Sequence, residues 1–377
     1  MKSRRLPAVF MRGGTSKALM FHSRDLPAEP SEWDALFLRA IGSPDPHGRQ
    51  LNGMGGGVSS LSKVCVIGPP SRKDADIDYT FAQVLVKDAR VDYSGNCGNM
   101  SSAVGPFAID EQLISVRDGD AIVRIHNTNT KKIIHAAFRI EEGEACEDGD
   151  LVIPGVAGTG APIRLDFLEP GGATTGKLLP TGHVVDRLEV PGLGNIDASL
   201  IDAANATVFV SAASLGLQGT ELPDALEQNR AVLERIVAIR AAGSVAMGIT
   251  PDLTAARLKT MVPFFGIVAP PQPFRTLSGE DIPAAAIDLT VRFISNGQPH
   301  RALPLTGSLC TAVAARLQGS VVHQAVRRGT TGALRLGMPS GVLTVDAAVA
   351  QQGNQWHAPR GSFYRTARRL FDGYVYA

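Results

Sequence analysis

SGNCGNMSSAVGPFAI, Ser94–Ile109, is a polar turn with two glycines that runs straight into a small-residue apolar segment. Ser or Asn stands where a helix N-cap belongs, so the stretch predicts a buried helix whose first N–H groups lack intrahelical partners. An end of that kind binds anions. A second stretch, LTGSLCTAVAARL at Leu305–Leu317, repeats the pattern in the other half of the chain. One occurrence in each half predicts two similar domains facing each other across a cleft.

At 377 residues the chain exceeds the roughly 250–300 at which one hydrophobic core stops growing, which also predicts two domains. The loop-rich stretch around Gly171–Gly182 lies between two extended segments, Ile163–Phe167 and Val184–Val190, and places the boundary so that the domains are 1–184 and 185–364. β-Branched and aromatic runs at Tyr79–Val86, Ala121–Ile125 and Ala206–Val210 predict strands. Helical periodicity is clearest at Trp33–Ile41, Leu226–Ala242 and Cys310–Leu317. With 40 Gly, 24 Pro and 44% hydrophobic residues, the expectation is an α+β fold rich in strands and turns.

The 37 basic and 36 acidic residues leave a net charge of +1, which sets up no field for nucleic acid or anionic lipid. Partners therefore reduce to a small molecule and, at most, further copies of the chain. No run approaches the ~18 apolar residues of a membrane span. The start, MKSRRLPAVFMRGG, has too few apolar residues for a signal peptide, so the expected location is the cytoplasm. Cys65, Cys97, Cys146 and Cys310 lie far apart and are read as thiols rather than a disulfide framework. No CxxC or HExxH spacing occurs, and no metal or other cofactor is expected.

Cys97, within Gly95-Asn96-Cys97-Gly98-Asn99, carries the strongest local signal. Its glycines allow close backbone approach to a ligand, its asparagines supply donors, and a thiol at a helix N-terminus can exchange a proton near neutrality. Cys65 and Cys146 read instead as small buried hydrophobes, and Cys310 as structural. Lys63 follows a Gly/Ser loop read as flexible, Gly53–Ser62, and enters the apolar run Val64–Ile67, where desolvation favours a general base. Met11-Arg12-Gly13-Gly14-Thr15-Ser16-Lys17 offers a cation, hydroxyls and glycine N–H groups in one turn, which suits either a carboxylate cradle or an ordinary hairpin. Gly171–Lys177 has the glycine and lysine spacing of a P-loop, but Leu178 stands where a magnesium-binding hydroxyl belongs, which rejects nucleotide binding. The histidines, among them His126 and His183, have no acidic or cysteine neighbour at catalytic spacing.

Six blocks, MRGGTSK, IGSPDPHGRQLNGMGGG with SSLSK, VDYSGNCGNMSSAVGPFAID, RIHNTNT, ATTGKLLPTGHVVD and RTARRLFDGYVY, together resemble the family of methylaconitate cis-trans isomerases, methylitaconate Δ-isomerases and oxalomesaconate tautomerases. The resemblance spans almost the whole chain, and the blocks at His126–Thr130 and Thr174–Asp186 are most similar to the methylitaconate branch. It implies a diaminopimelate epimerase-like fold, two strand-wrapped barrels each around a central helix, with a C-terminal strand at 365–377 crossing back to the first. It also implies catalysis by Cys97 and Lys63. The substrate contacts would come from Arg12, Thr15, Ser16, Asn96, Gly98, Asn99, Met100, Thr306, Gly307 and Ser308. The second cysteine of the superfamily's racemases would fall near Pro304–Thr306, where this chain has none, and Ala18 replaces a customary glycine.

The reaction so implied is an allylic 1,3-proton shift that moves the C=C bond of a small unsaturated di- or tricarboxylate, with either Lys63 or Cys97 starting it. Cis-trans isomerisation of a methylaconitate and tautomerisation of an oxalomesaconate share that chemistry. A non-catalytic acid-binding accessory protein and an amino-acid racemase are the alternatives of other classes.

Overall fold

The computed structural model describes residues 4–93, 97–295, 297–353 and 355–377. Its contacts divide the chain into two units, Met1–Asp166 with Tyr364–Ala377, and Phe167–Phe363.

In the first unit a hairpin of β1 (Arg5–Gly13) and β2 (Ser16–His22) leads through α1 (Trp33–Ile41) to β3 (Lys63–Gly68), which pairs parallel to β2. β4 (Ile77–Val84) returns antiparallel to β3. The next crossover carries α2 (Gly98–Asp110) and ends in β5 (Gly119–Asn127), parallel to β4 and antiparallel to β6 (Lys132–Glu141). Parallel neighbours need crossovers of this length, which is why the helices sit where they do. The last strand, Ala367–Tyr376, pairs along β1 from Arg5↔Tyr376 to Gly13↔Ala367, so the C-terminal segment belongs to this unit.

The second unit repeats that order. β7 (Gly194–Ala203) and β8 (Asn205–Ser211) form a hairpin, and a crossover with α3 (Arg230–Ala246) leads to β9 (Phe264–Ala269), parallel to β8. β10 (Leu289–Ser295) is antiparallel to β9. A crossover with α4 (Leu305–Arg316) reaches β11 (Leu334–Met338), parallel to β10 and antiparallel to β12 (Gly341–Gln352). The repeat expected from the two helix motifs is therefore one of topology, with α2 and α4 in corresponding crossovers. The result is the expected α+β architecture.

Strand parity sorts the side chains of the first unit. Val64 and Val66 of β3 and Ala82 and Val84 of β4 pack with Phe37 and Ile41 of α1. The other parity of β3 carries Lys63 and Cys65, which belong to the layer around α2. That helix is buried at every residue from Met100 to Ile109, as small residues on all its faces permit. Gly105 is what allows β6 to close on it, because a Cβ there would stand 2.5 Å from the Phe138 ring.

Three local expectations differ from the structure. Leu226–Ala242 is not one helix: Asn229 accepts from the Val232 N–H at 3.2 Å, caps α3, and separates it from the short helix Pro223–Gln228. A local side-chain acceptor outweighs the continuous apolar period there. Neither α2 nor α4 is capped by Ser or Asn. Their N-caps are Cys97 and Pro304, without a side-chain cap bond, and Asn99 of α2 and Thr306 of α4 lie within the first helical turn instead of ahead of it. The Gly/Ser loop before Lys63 is tied down through Gln50, whose side chain accepts from Gly57 N–H and the Ser62 hydroxyl and donates to Ser43. Asp45 accepts the N–H groups of His47, Arg49 and Gln50, which hold its carboxyl below the usual range. Among the described residues no helix is long and apolar enough to cross a membrane.

Candidate active site

Cys97 is the N-cap of α2, with extended backbone (φ −107°, ψ 96°) and a partly exposed side chain. Its carbonyl accepts the Ser101 N–H at 2.9 Å and the Ser101 hydroxyl at 3.1 Å, so the first turn is closed by the backbone of this residue. The thiol makes no capping bond and is left for other chemistry. Gly98 and Met100 are buried in that turn, whose leading N–H groups have no intrahelical acceptor. Asn96 lies outside the described residues.

MRGGTSK forms the β1–β2 hairpin, with Gly13 paired to Ser16 and a two-residue turn at Gly14-Thr15. Gly14 is at φ +51°. A Cβ at Gly14 would overlap the Asn99 amide, so glycine is required twice over. Asn99 donates from Nδ2 to Thr15 Oγ1 at 3.0 Å and accepts at Oδ1 from Arg365 Nε at 2.9 Å. Arg12 Nη1 donates to Gly14 O, Thr366 O and Thr366 Oγ1 at 3.0–3.1 Å, pinning the hairpin to the residue that precedes the final strand. Burial and Arg368 push the Arg12 guanidinium down, with Glu147 opposing. Ser16 is 2% exposed, beneath the turn.

Lys63 opens β3, 7% exposed, between Ala18 of β2 and Gln83 of β4 in the strand register. The residue that departs from the resembled pattern, Ala18, is thus the strand neighbour of Lys63. Lys63 Nζ donates to Gln83 Oε1 and stands 5.0 Å from the centre of the Phe81 ring. The Gln83 amide is oriented by its other end, where Nε2 donates to Ser59 O, Ser62 O and Val84 O at 2.9–3.3 Å.

Cys65 links the two residues. Burial pushes its thiol up, Cys97 raises it further, and Lys63 and a bond to the Tyr79 hydroxyl oppose them, so both candidate proton carriers lie within electrostatic reach of one fully buried sulfur. Tyr79 is raised well above its ordinary value by the same burial and then by Cys65 and Cys97. Among the described residues no three His, Cys, Asp or Glu side chains gather as metal ligands.

The second helix terminus belongs to the other unit. Gly307 and Ser308 are buried and Thr306 is partly exposed in the first turn of α4. A Cβ at Gly307 would come 2.8 Å from the Phe293 ring, and the Ser308 hydroxyl donates to Leu305 O at 2.7 Å. Cys310 is fully buried, its thiol 3.5 Å from Ile201 O and pushed up to about 12 by burial. Cys310→Ala is therefore expected to leave turnover unchanged and to cost about 1 kcal/mol of stability from the small cavity. Loss of turnover with unchanged melting would place chemistry at this thiol.

The P-loop-like stretch is filled by the protein itself. The buried Asp202 carboxylate accepts the Thr174 and Thr175 N–H groups and the Thr175 hydroxyl at 2.6–2.9 Å, which leaves those donors no phosphate to bind. Several histidines do meet acids, from distant strands: His126 with Asp78 at 2.9 Å, His22 with Glu111 at 2.8 Å and His357 with Glu169 at 2.6 Å. Sequence spacing could not show these pairs. Nor did it show Gln83 or Arg365, although Gln83 is a polar residue in an otherwise apolar strand end and Arg365 opens one of the recognisable blocks.

A family model described as PrpF protein matches residues 3–377. The chain is 41% identical to 3-methylitaconate isomerase of Eubacterium barkeri, over 99% of its own length and 97% of the relative's. It is 39% identical to 2-methyl-aconitate isomerase of Shewanella oneidensis, over 98% and 96% of the two chains. A crystal structure of methylitaconate-delta-isomerase superposes with a TM-score of 0.91 at 40% identity, covering 100% of this chain and 96% of that one.

Proposed function

The chain belongs to the PrpF protein family, and from that membership and the site we propose that it moves the C=C bond of a small unsaturated di- or tricarboxylate by allylic 1,3-proton transfer. What supports the reading is the pairing of a partly exposed thiol at the N-terminus of α2 with a buried amine at the start of β3, both of which act electrostatically on the buried Cys65 thiol.

One of the pair removes the allylic proton and the other returns a proton at the far carbon. The charge that develops on the carboxylate is the difficult part of such a reaction, and preorganised donors are its usual remedy. The first-turn N–H groups of α2 supply them, with the helix dipole aligned to favour an anion. Arg12, Thr15, Ser16, Asn99 and the hairpin backbone hold the acid in this reading. Lys63 keeps its aim because Gln83 is itself held by three carbonyls. Neither carrier needs a metal or redox cofactor, since only protons move. The four free thiols suit a reducing compartment, which supports a cytoplasmic location.

Proton NMR of the purified protein with methylitaconate, cis- and trans-methylaconitate and oxalomesaconate in deuterated water tests this. Deuterium entering at the allylic carbon of one acid, with its double bond displaced, is the expected result, and it persists after dialysis against EDTA. No exchange into any of the acids would overturn the reading, and recovery only on adding metal would overturn its cofactor-free part.

A further inference from the structure

We infer that Arg365 is a positioning residue for Cys97: its guanidinium locks the Asn99 amide in the first turn of α2 and turns a positive charge toward the thiol. Arg365 ends the strand Gln355–Arg365 and is partly buried. Its Nε–H donates to Asn99 Oδ1 at 2.9 Å and its Nη1–H to Tyr364 O at 2.9 Å, so the planar head is fixed by two acceptors on different elements. With Oδ1 occupied, Asn99 must present Nδ2 to Thr15, where the 3.0 Å bond is made. A Cβ at Gly14 would also come 3.0 Å from Arg365 Cδ. Hairpin turn, helix amide and terminal arginine therefore interlock two residues beyond the thiol.

The charge relation points the same way. Burial pushes the Arg365 guanidinium down, and the opposing influence is Cys97. A guanidinium keeps its proton nonetheless, so the arginine that bonds Asn99 sets a permanent cation beside the first turn of α2. Among the described residues, the other titratable groups that act at this end of α2 include Lys63 and Cys65 on β3 and Tyr79 on β4, while Arg12 on β1 bonds the Gly14 carbonyl of the adjoining turn. The arginine reaches Asn99 and Tyr364 from two separate nitrogens of one rigid plane; a single ammonium nitrogen at this place would keep the charge and lose that fixed geometry.

The consequence for turnover rests on the isomerase reading, but the chemistry at the thiol does not, so the first measurement needs no substrate. The rate of Cys97 alkylation by iodoacetamide at neutral pH, located by peptide mass, is compared for the native protein, Arg365→Gln and Arg365→Lys. Arg365→Gln is expected to slow alkylation about tenfold, the effect of removing one nearby cation, while Arg365→Lys stays within about twofold of the native rate. On the acid found by NMR, Arg365→Lys should lower kcat about tenfold and raise KM as well, because the released Asn99 both orders the first turn and holds the acid. A folded Arg365→Gln protein that alkylates at the native rate overturns the inference. Should that variant not fold, a tenfold slower Arg365→Lys overturns it instead, and a native alkylation rate with reduced kcat supports it.

Discussion

Lys63→Met is expected to lower the rate of double-bond movement by about 10²–10⁴-fold, the usual loss when a general acid or base is removed. Methionine keeps roughly the stem volume and removes the amine that bonds Gln83 and stands over Phe81. Loss of the donor to Gln83 should cost about 1–3 kcal/mol of stability, and circular dichroism melting checks that the variant stays folded. Binding of the acid weakens too, since an ammonium attracts carboxylates, so the discriminating variant is Lys63→Arg. It retains positive charge between Ala18 and Gln83 but cannot give up a proton near neutrality. If Lys63→Arg turns over at near-native rate, Lys63 is an electrostatic anchor and the carrier opposite Cys97 lies elsewhere. Gln83→Leu adds a graded control: it removes the acceptor that aims Nζ but leaves the amine, so an intermediate loss is expected.

The sequence made the two helix motifs and the hairpin legible because each is local: a Gly-containing turn followed by small apolar residues, and two glycines between alternating strands. Trp33–Ile41 is a helix over the predicted span for the same reason, as its period is complete within one element. What escaped were the side-chain contacts between residues far apart in the chain, although the resemblance did imply the return of the C-terminal strand to the first unit. Arg365 meets Asn99 across 266 positions and His126 meets Asp78 across 48, distances over which spacing carries no information. The break at Asn229 escaped for a different reason, since a capping amide and a helix-interior amide look alike until the chain turns. The linking role of Cys65 was hidden by its composition: an apolar run reads as core, and it is core, yet its sulfur lies within electrostatic reach of Lys63 and Cys97.

Cys97→Ser should abolish isomerisation and at the same time raise the melting temperature. A serine hydroxyl holds its proton too tightly to serve as carrier, whereas Ser is among the best N-cap residues and Cys97 makes no capping bond. With its backbone already in the extended region that an N-cap adopts, the new hydroxyl can accept from the first-turn N–H groups and stabilise α2 by about 0.5–2 kcal/mol. Cys97→Ala separates the two effects, because it also removes the carrier but offers no acceptor, so it should be inactive with a melting temperature near the native one. A thiol kept where a hydroxyl would be more stabilising is the pattern expected when a position is held for chemistry. Substantial turnover in a folded Cys97→Ala protein would remove Cys97 from the mechanism. A Cys97→Ser protein that is inactive yet no more stable than Cys97→Ala would instead show that the first-turn N–H groups are already satisfied, and with that the anion cradle proposed at α2 would fail.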